Sequence, residues 1–104
     1  MPQPNMQQLL KQAQKMQQEM LAAQESLKDE VVDASAGGGM VTVQVTGDLR
    51  VKSVTIAPEA IDPDDPELLQ DMVLAAVNEG IRAAQELASS KLGGITGGLG
   101  ALGL

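Results

Sequence analysis

Apolar residues near the start of the chain recur at alternating intervals of three and four. The positions are Met6, Leu9, Ala13, Met16, Met20, Ala23 and Leu27, which we call the seam. This spacing is typical of a stripe along a helix that packs against another helix. Because Pro4 and Asn5 suit a helix start, the pattern predicts one helix over residues 5–28.

The seam has two interpretations. The helix can pack along its own domain, or it can project as an arm that pairs with another helix. At about 1.5 Å per residue the helix is roughly 35 Å long, which is more than a small sheet can cover. We therefore favour an arm over residues 1–28.

Between residues 30 and 57 the hydrophobic period changes to two, which predicts half-buried strands. The alternating positions are Val41, Val43 and Val45 in one stretch and Val54 and Ile56 in another. A weaker strand is predicted over residues 30–35. Gly37–Gly39 and Gly47 suit hairpin turns because glycine accepts a positive φ. We expect three antiparallel strands in a meander.

A second helix is predicted over residues 66–91. Asp65 is a good N-cap, and Pro66 suits the first helical position. The apolar face of this helix includes Met72, Val73 and Ala76. Gly80 interrupts the helix, and we slightly favour close backbone packing there over simple tolerance of the glycine.

Residues 93–104 are half glycine. Ordering so flexible a segment has a high entropy cost, so a disordered tail is expected. The chain is then an α+β protein of order α-β-β-β-α, with one domain over residues 1–92.

The composition favours a homodimer. The chain lacks Phe, Tyr and Trp, and a monomer of this size buries only roughly 60–70% of its chain surface. A second copy would extend the apolar core. The residues expected in the core or the dimer contact are Met6, Leu9, Ala13, Met16, Met20, Val41, Val43, Val45, Val54, Ile56, Met72, Val73 and Ala76.

The absence of Cys and His excludes thiol nucleophiles, thiolate metal sites and imidazole bases. No catalytic constellation is visible, so we expect no enzyme activity, cofactor, metal site or small-molecule substrate. The acidic stretch Asp62–Glu67 is better explained by helix capping than by a cation site, because prolines replace the glycine bend. No apolar run spans a bilayer and no signal segment is visible, so a cytoplasmic location is expected, with no membrane partner.

The distribution of charge is more informative than the net charge of −7, which alone argues against nucleic acid. Residues 1–18 contain Lys11 and Lys15 but no acid, and residues 87–104 contain Lys91 but no acidic side chain. The lysines at 11 and 15 lie away from the seam, with glutamines around them. Such a surface suits contacts with DNA phosphates and grooves, although most such helix faces are simply solvated. This Lys/Gln face comprises Lys11, Lys15, Gln7, Gln8, Gln14 and Gln18.

Three stretches of the chain resemble the YbaB/EbfC family of bacterial nucleoid-associated proteins. They are the Gln- and Met-rich residues 6–17, the Gly-x-Val-x-Val segment and following turn over 39–56, and residues 67–78, followed by the Gly-rich tail. The resemblance implies a dimer with tweezer-like helical arms, DNA binding, and a role in nucleoid organisation or gene regulation. It places DNA contacts at Lys11 and Lys15, with Lys91 as a further candidate.

The leading hypothesis is a homodimeric, nucleoid-associated protein that binds double-stranded DNA through phosphates with low sequence specificity. Its expected partners are DNA and a second copy of the chain. The alternative is a helical adaptor that uses the seam to bind a partner protein and does not bind DNA.

Overall fold

The computed structural model describes residues 5–100, and the side chains up to Gly93. The elements are α1 (Met6–Asp29), β1 (Val31–Ala36), β2 (Val41–Thr46), β3 (Val51–Ile56), a 3-10 turn (Pro58–Ala60) and α2 (Pro66–Gly100). This order confirms the predicted α+β fold. No helix in the described part of the chain is long and apolar enough to cross a membrane.

The strands form an antiparallel meander in the order β1-β2-β3. Val43 on the central strand pairs with Ala34 on one side and Val54 on the other. The first hairpin uses positive φ angles at Gly37–Gly39, as predicted. In the second hairpin the positive φ is at Leu49 and not at Gly47. The prediction that Gly47 is needed there for a positive φ was therefore wrong.

The core lies between α2 and the first two strands. Val41, Val43 and Val45 are fully buried there together with Ala76. A Cβ on Gly80 would lie 2.6 Å from Cγ2 of Val45, so the glycine allows α2 to pack directly on the sheet. Ile56, Met72 and Val73 are half-buried around this core.

The third strand is not covered by α2. Val54 faces the same side of the sheet as Val43, yet it is 44% exposed because α2 packs on β1 and β2. Within one chain, Val54 is therefore not the core residue that its alternating pattern predicted.

Among the described residues, the first helix is packed most closely at its inner end. Asn5 caps its start, since the Asn5 Oδ1 accepts a hydrogen bond from the Gln7 N–H at 3.1 Å. Along the seam, Ala23 and Leu27 are buried, Met16 and Met20 are half-buried, and Met6, Leu9 and Ala13 are exposed. Residues 6–20, which we call the outer arm, thus extend away from the body.

The overall dimensions agree with a projecting arm. The radius of gyration is 20.5 Å and the longest extent is 76 Å, whereas a compact domain of about 100 residues has a radius of gyration of roughly 13 Å. The prediction of an arm is supported, with its inner end packed against α2 and the sheet.

The second helix continues to Gly100 rather than ending near residue 91. The predicted disorder of residues 93–104 therefore does not hold for the helical backbone up to Gly100, and residues 101–104 lie outside the described part. Extending an existing helix avoids the unfavourable nucleation step.

Candidate nucleic-acid interface

The two lysines of the outer arm are exposed and lie one helical turn apart. Side chains four residues apart project from the same side of a helix, so both ammonium groups can approach one ligand. Among the described residues, Lys11 and Lys15 make no ion pair. The ion pairs in this part of the chain are Lys28–Glu25, Arg50–Asp48, Arg82–Glu79, Arg82–Glu86 and Lys91–Glu30.

The four glutamines of the Lys/Gln face are also exposed. Gln7 and Gln8 precede Lys11 by four and three residues, and Gln14 and Gln18 follow Lys11 and Lys15 by three. All four amides therefore project from the side of the helix that carries the lysines. An amide can both donate and accept hydrogen bonds, so this surface can bind phosphate oxygens through lysine and sugar or base edges through glutamine.

Lys91 is not part of this face. Its Nζ donates to the Ser26 Oγ at 2.6 Å and to the Glu30 Oε1 at 3.0 Å, and its side chain is only 28% exposed. The structure thus places the third predicted DNA-contacting lysine inside an α1–α2 contact. No local sequence signal indicates this pairing, because Glu30 and Lys91 are 61 positions apart.

A shallow cleft that was not predicted from the sequence lies at the base of α1. It brings Lys28, Arg50 and Lys52 together with two acidic residues, Asp29 and Asp48. The carboxylates offset much of the positive charge, and Arg50 pairs with Asp48 at 3.6 Å. The cleft is therefore a weaker anion site than the outer arm.

The acidic segment before α2 serves as a cap. The Asp62 Oδ1 accepts from the Asp64 N–H at 2.9 Å, and the Asp65 Oδ1 accepts from the Leu68 N–H at 3.2 Å. The Asp65 bond confirms the capping explanation for the start of α2, and the Asp62 bond holds the turn before it.

Comparison with known proteins identifies the family. The model of the YbaB/EbfC DNA-binding family matches residues 1–99. The chain belongs to this family. It is 55% identical over 98 residues to a nucleoid-associated protein of Acetivibrio thermocellus, a match that covers 94% of this chain and 87% of that protein. A nucleoid-associated protein of Saccharopolyspora erythraea is 54% identical, with 98% and 93% covered.

A solved structure supports the family fold. An uncharacterized protein of Helicobacter pylori superposes with a TM-score of 0.73 at 26% identity, over 85% of this chain and 92% of that one. The resemblance noted from the sequence is thus confirmed. The family is one of DNA-binding proteins and not of enzymes.

Proposed function

We propose that this member of the YbaB/EbfC family is a homodimer that binds double-stranded DNA between its two outer arms. Phosphate contacts from Lys11 and Lys15 supply most of the affinity, with little sequence specificity. The protein acts in the bacterial nucleoid, on its organisation and on gene expression. The observation that carries this proposal is the absence of any ion pair at these two lysines among the described residues.

The net charge of −7 does not prevent DNA binding by the outer arm, because the charges are separated in space. The outer arm carries Lys11 and Lys15 against Glu19 alone, and twelve of the fourteen acids lie from Asp29 onward. At about 1.5 Å per residue, Lys11 lies roughly 27 Å from Asp29 along α1. That distance exceeds the screening length of about 8 Å at physiological salt.

The dimer is supported by apolar surface that one chain leaves uncovered. The chain exposes 7465 Å², whereas a compact monomer of this mass exposes roughly 5,500 Å². An apolar groove lies between β3 and α2, and Val54 is exposed on β3 two residues before the groove residue Ile56. The groove is lined by Ile56, Leu69, Gln70, Val73, Leu74 and Val77.

A second copy is the occupant that fits this groove. The groove is continuous with the core through Ile56, Val73 and Val77, and β3 is an edge strand that pairs with β2 on one side and with no other described strand. A two-fold axis there would bring the same apolar surface of each copy together. Two arms would then extend from one shared body.

The decisive experiment is a salt titration of DNA binding. Four neutralised phosphates per dimer predict that log K falls with log salt at a slope of roughly −3.6. Changing Lys11→Gln and Lys15→Gln together should abolish binding. The matched control, Lys28→Gln with Arg82→Gln, removes the same charge from cations that are already paired, and it should bind normally. Equal loss in both variants would refute the arm as the binding surface.

A second candidate function is the helical adaptor, because Met6 and Leu9 of the seam are 72% and 47% exposed. The adaptor predicts no DNA shift even at about 50 mM salt. It also predicts retention of one specific protein that is lost when Leu9 is changed to Gln. The same titration therefore separates the two functions.

A further inference from the structure

The base of α1 is held by a polar contact that spans the two helices. Lys91 on α2 reaches Ser26, in the last turns of α1, and Glu30, which follows the helix directly. Glu30 is also the residue through which the chain passes into β1. Its N–H donates to the Leu27 carbonyl at 3.3 Å, and its carbonyl accepts from the Gly47 N–H at 2.9 Å.

We infer that Lys91 is a positioning residue that fixes the angle at which the arm leaves the body. In the proposed dimer this angle sets the distance between the two outer arms and so their fit to the DNA duplex. The effect of Lys91 on DNA binding rests on the proposed function, whereas its effect on the angle of the arm does not.

The carboxylate of Glu30 depends on Lys91 for its counter-charge. Among the described residues, the Glu30 Oε2 is buried and has no hydrogen-bond partner, so the Oε1–Lys91 bond is the carboxylate's only side-chain contact there. Removing the lysine leaves a partly buried charge without its counter-charge, which is unfavourable. Movement of the end of α1 away from α2 would let this carboxylate regain water.

A small movement at this base becomes large at the outer arm. Ala23 and Leu27 are the seam residues that are buried, so among the described residues the closest packing of the helix lies near this base. Over a helix of about 36 Å, a tilt of about 10° displaces the tip by roughly 6 Å. Lys11 lies roughly 27 Å from the base, so the same tilt displaces it by roughly 5 Å, which is more than a hydrogen-bond length of about 3 Å.

Pulsed electron paramagnetic resonance can test the angle without DNA. The chain has no cysteine, so Gln8→Cys and Ser35→Cys, both at exposed positions, introduce two unique labelling sites. Labelled chains are diluted with unlabelled chains so that only the distance within one chain is measured. We expect one narrow distance distribution in the parent protein and a broad one after Lys91→Met. Arg82→Met, which removes an exposed ion-paired cation from the same helix, should leave the distribution narrow.

Charge exchange provides the rescue. Lys91→Glu combined with Glu30→Lys restores the pair with reversed polarity and should narrow the distribution again. Glu30→Gln, which keeps the shape of the side chain, should broaden it less than Lys91→Met and serves as the second variant if that protein is unstable. A narrow distribution in both Lys91→Met and Glu30→Gln would overturn the inference.

DNA binding then distinguishes positioning from direct contact. A positioning role predicts that Lys91→Met weakens binding on the order of tenfold with an unchanged salt slope. If Lys91 contacted DNA directly, its loss would remove two phosphate contacts per dimer and reduce the magnitude of the salt slope by roughly 1.8. A reduced slope together with a narrow distance distribution in Lys91→Met would overturn the inference. If the parent protein binds no DNA but the distribution broadens in Lys91→Met, the proposed function fails while the role of Lys91 in positioning the arm stands.

Discussion

The backbone of Gly47 lies directly against the carbonyl of Leu27, and a Cβ on Gly47 would be 2.5 Å from that oxygen. The Gly47 N–H also donates to the Glu30 carbonyl at 2.9 Å. Leu27 is only 4% exposed. The absence of a side chain at Gly47 therefore lets the second hairpin contact the base of the arm, where α1 ends and β1 begins.

Replacing Gly47 by alanine should destabilise the fold by about 1–3 kcal/mol, because the methyl group would overlap a backbone oxygen that cannot move alone. Urea unfolding measures the change. The control is Gly93→Ala, at a helical position where a Cβ would meet no described side chain within 4 Å. It should be neutral or stabilising by up to about 1 kcal/mol. Equal stability of Gly47→Ala and the parent protein would contradict the close approach.

Gly80→Ala should also destabilise the protein, by about 1–3 kcal/mol. The new methyl group would lie 2.6 Å from Cγ2 of Val45 and 2.8 Å from Cγ2 of Val43, and valine has little rotamer freedom to move away. Adding Val45→Ala makes room, so the double variant should lose less stability than the sum of the two single changes. Strict additivity in a double-mutant cycle would show that the contact is absent.

Features that depend on neighbouring residues were predictable from the sequence. The seven-residue period of apolar positions located α1, and the two-residue period located β2. The N-cap residue Asp65 marked the start of α2. Each of these signals acts within a few residues, so it can be read without knowing the fold.

Features that depend on distant contacts were not predictable. Lys91 looked like a free cation because the residues near it carry no acid, yet the fold brings Glu30 to it. The pattern of Val54 matched that of Val43, but only the position of α2 determines which of them is covered. On the outer arm, Lys11 and Lys15 are exposed, as their position away from the seam predicted, and they have no ion pair among the described residues.

The exposed pair Arg82–Glu79 predicts a pH-dependent contribution to stability. A hydrogen bond from Arg82, at 3.0 Å from its Nε to the Glu79 Oε2, holds the pKa of Glu79 below its ordinary value. A lowered carboxyl pKa stabilises the folded state above the ordinary pKa, and this stabilisation is lost as the pH falls through the folded-state pKa.

Arg82→Gln should therefore lower stability at neutral pH and have progressively less effect as Glu79 becomes protonated. The loss should be small because both side chains are exposed to solvent. Carboxyl carbon NMR should show the Glu79 pKa rising towards its ordinary value in the variant. An unchanged Glu79 pKa would show that the hydrogen bond is not maintained in solution.

Val54→Glu should convert the proposed dimer to a monomer. Val54 lies on β3 two residues before Ile56, which lines the apolar groove, and it is 44% exposed in one chain. Two-fold pairing would therefore bury the introduced carboxylates against apolar side chains at a high energetic cost. The matched control is Val31→Glu, a valine on the opposite outer strand that is 36% exposed. Light scattering after size-exclusion chromatography should report a monomer for Val54→Glu and a dimer for Val31→Glu.

The melting temperature of the parent protein should rise with protein concentration, as mass action requires, whereas the melting temperature of Val54→Glu should not. A dimeric Val54→Glu protein would place the contact between copies elsewhere on the chain.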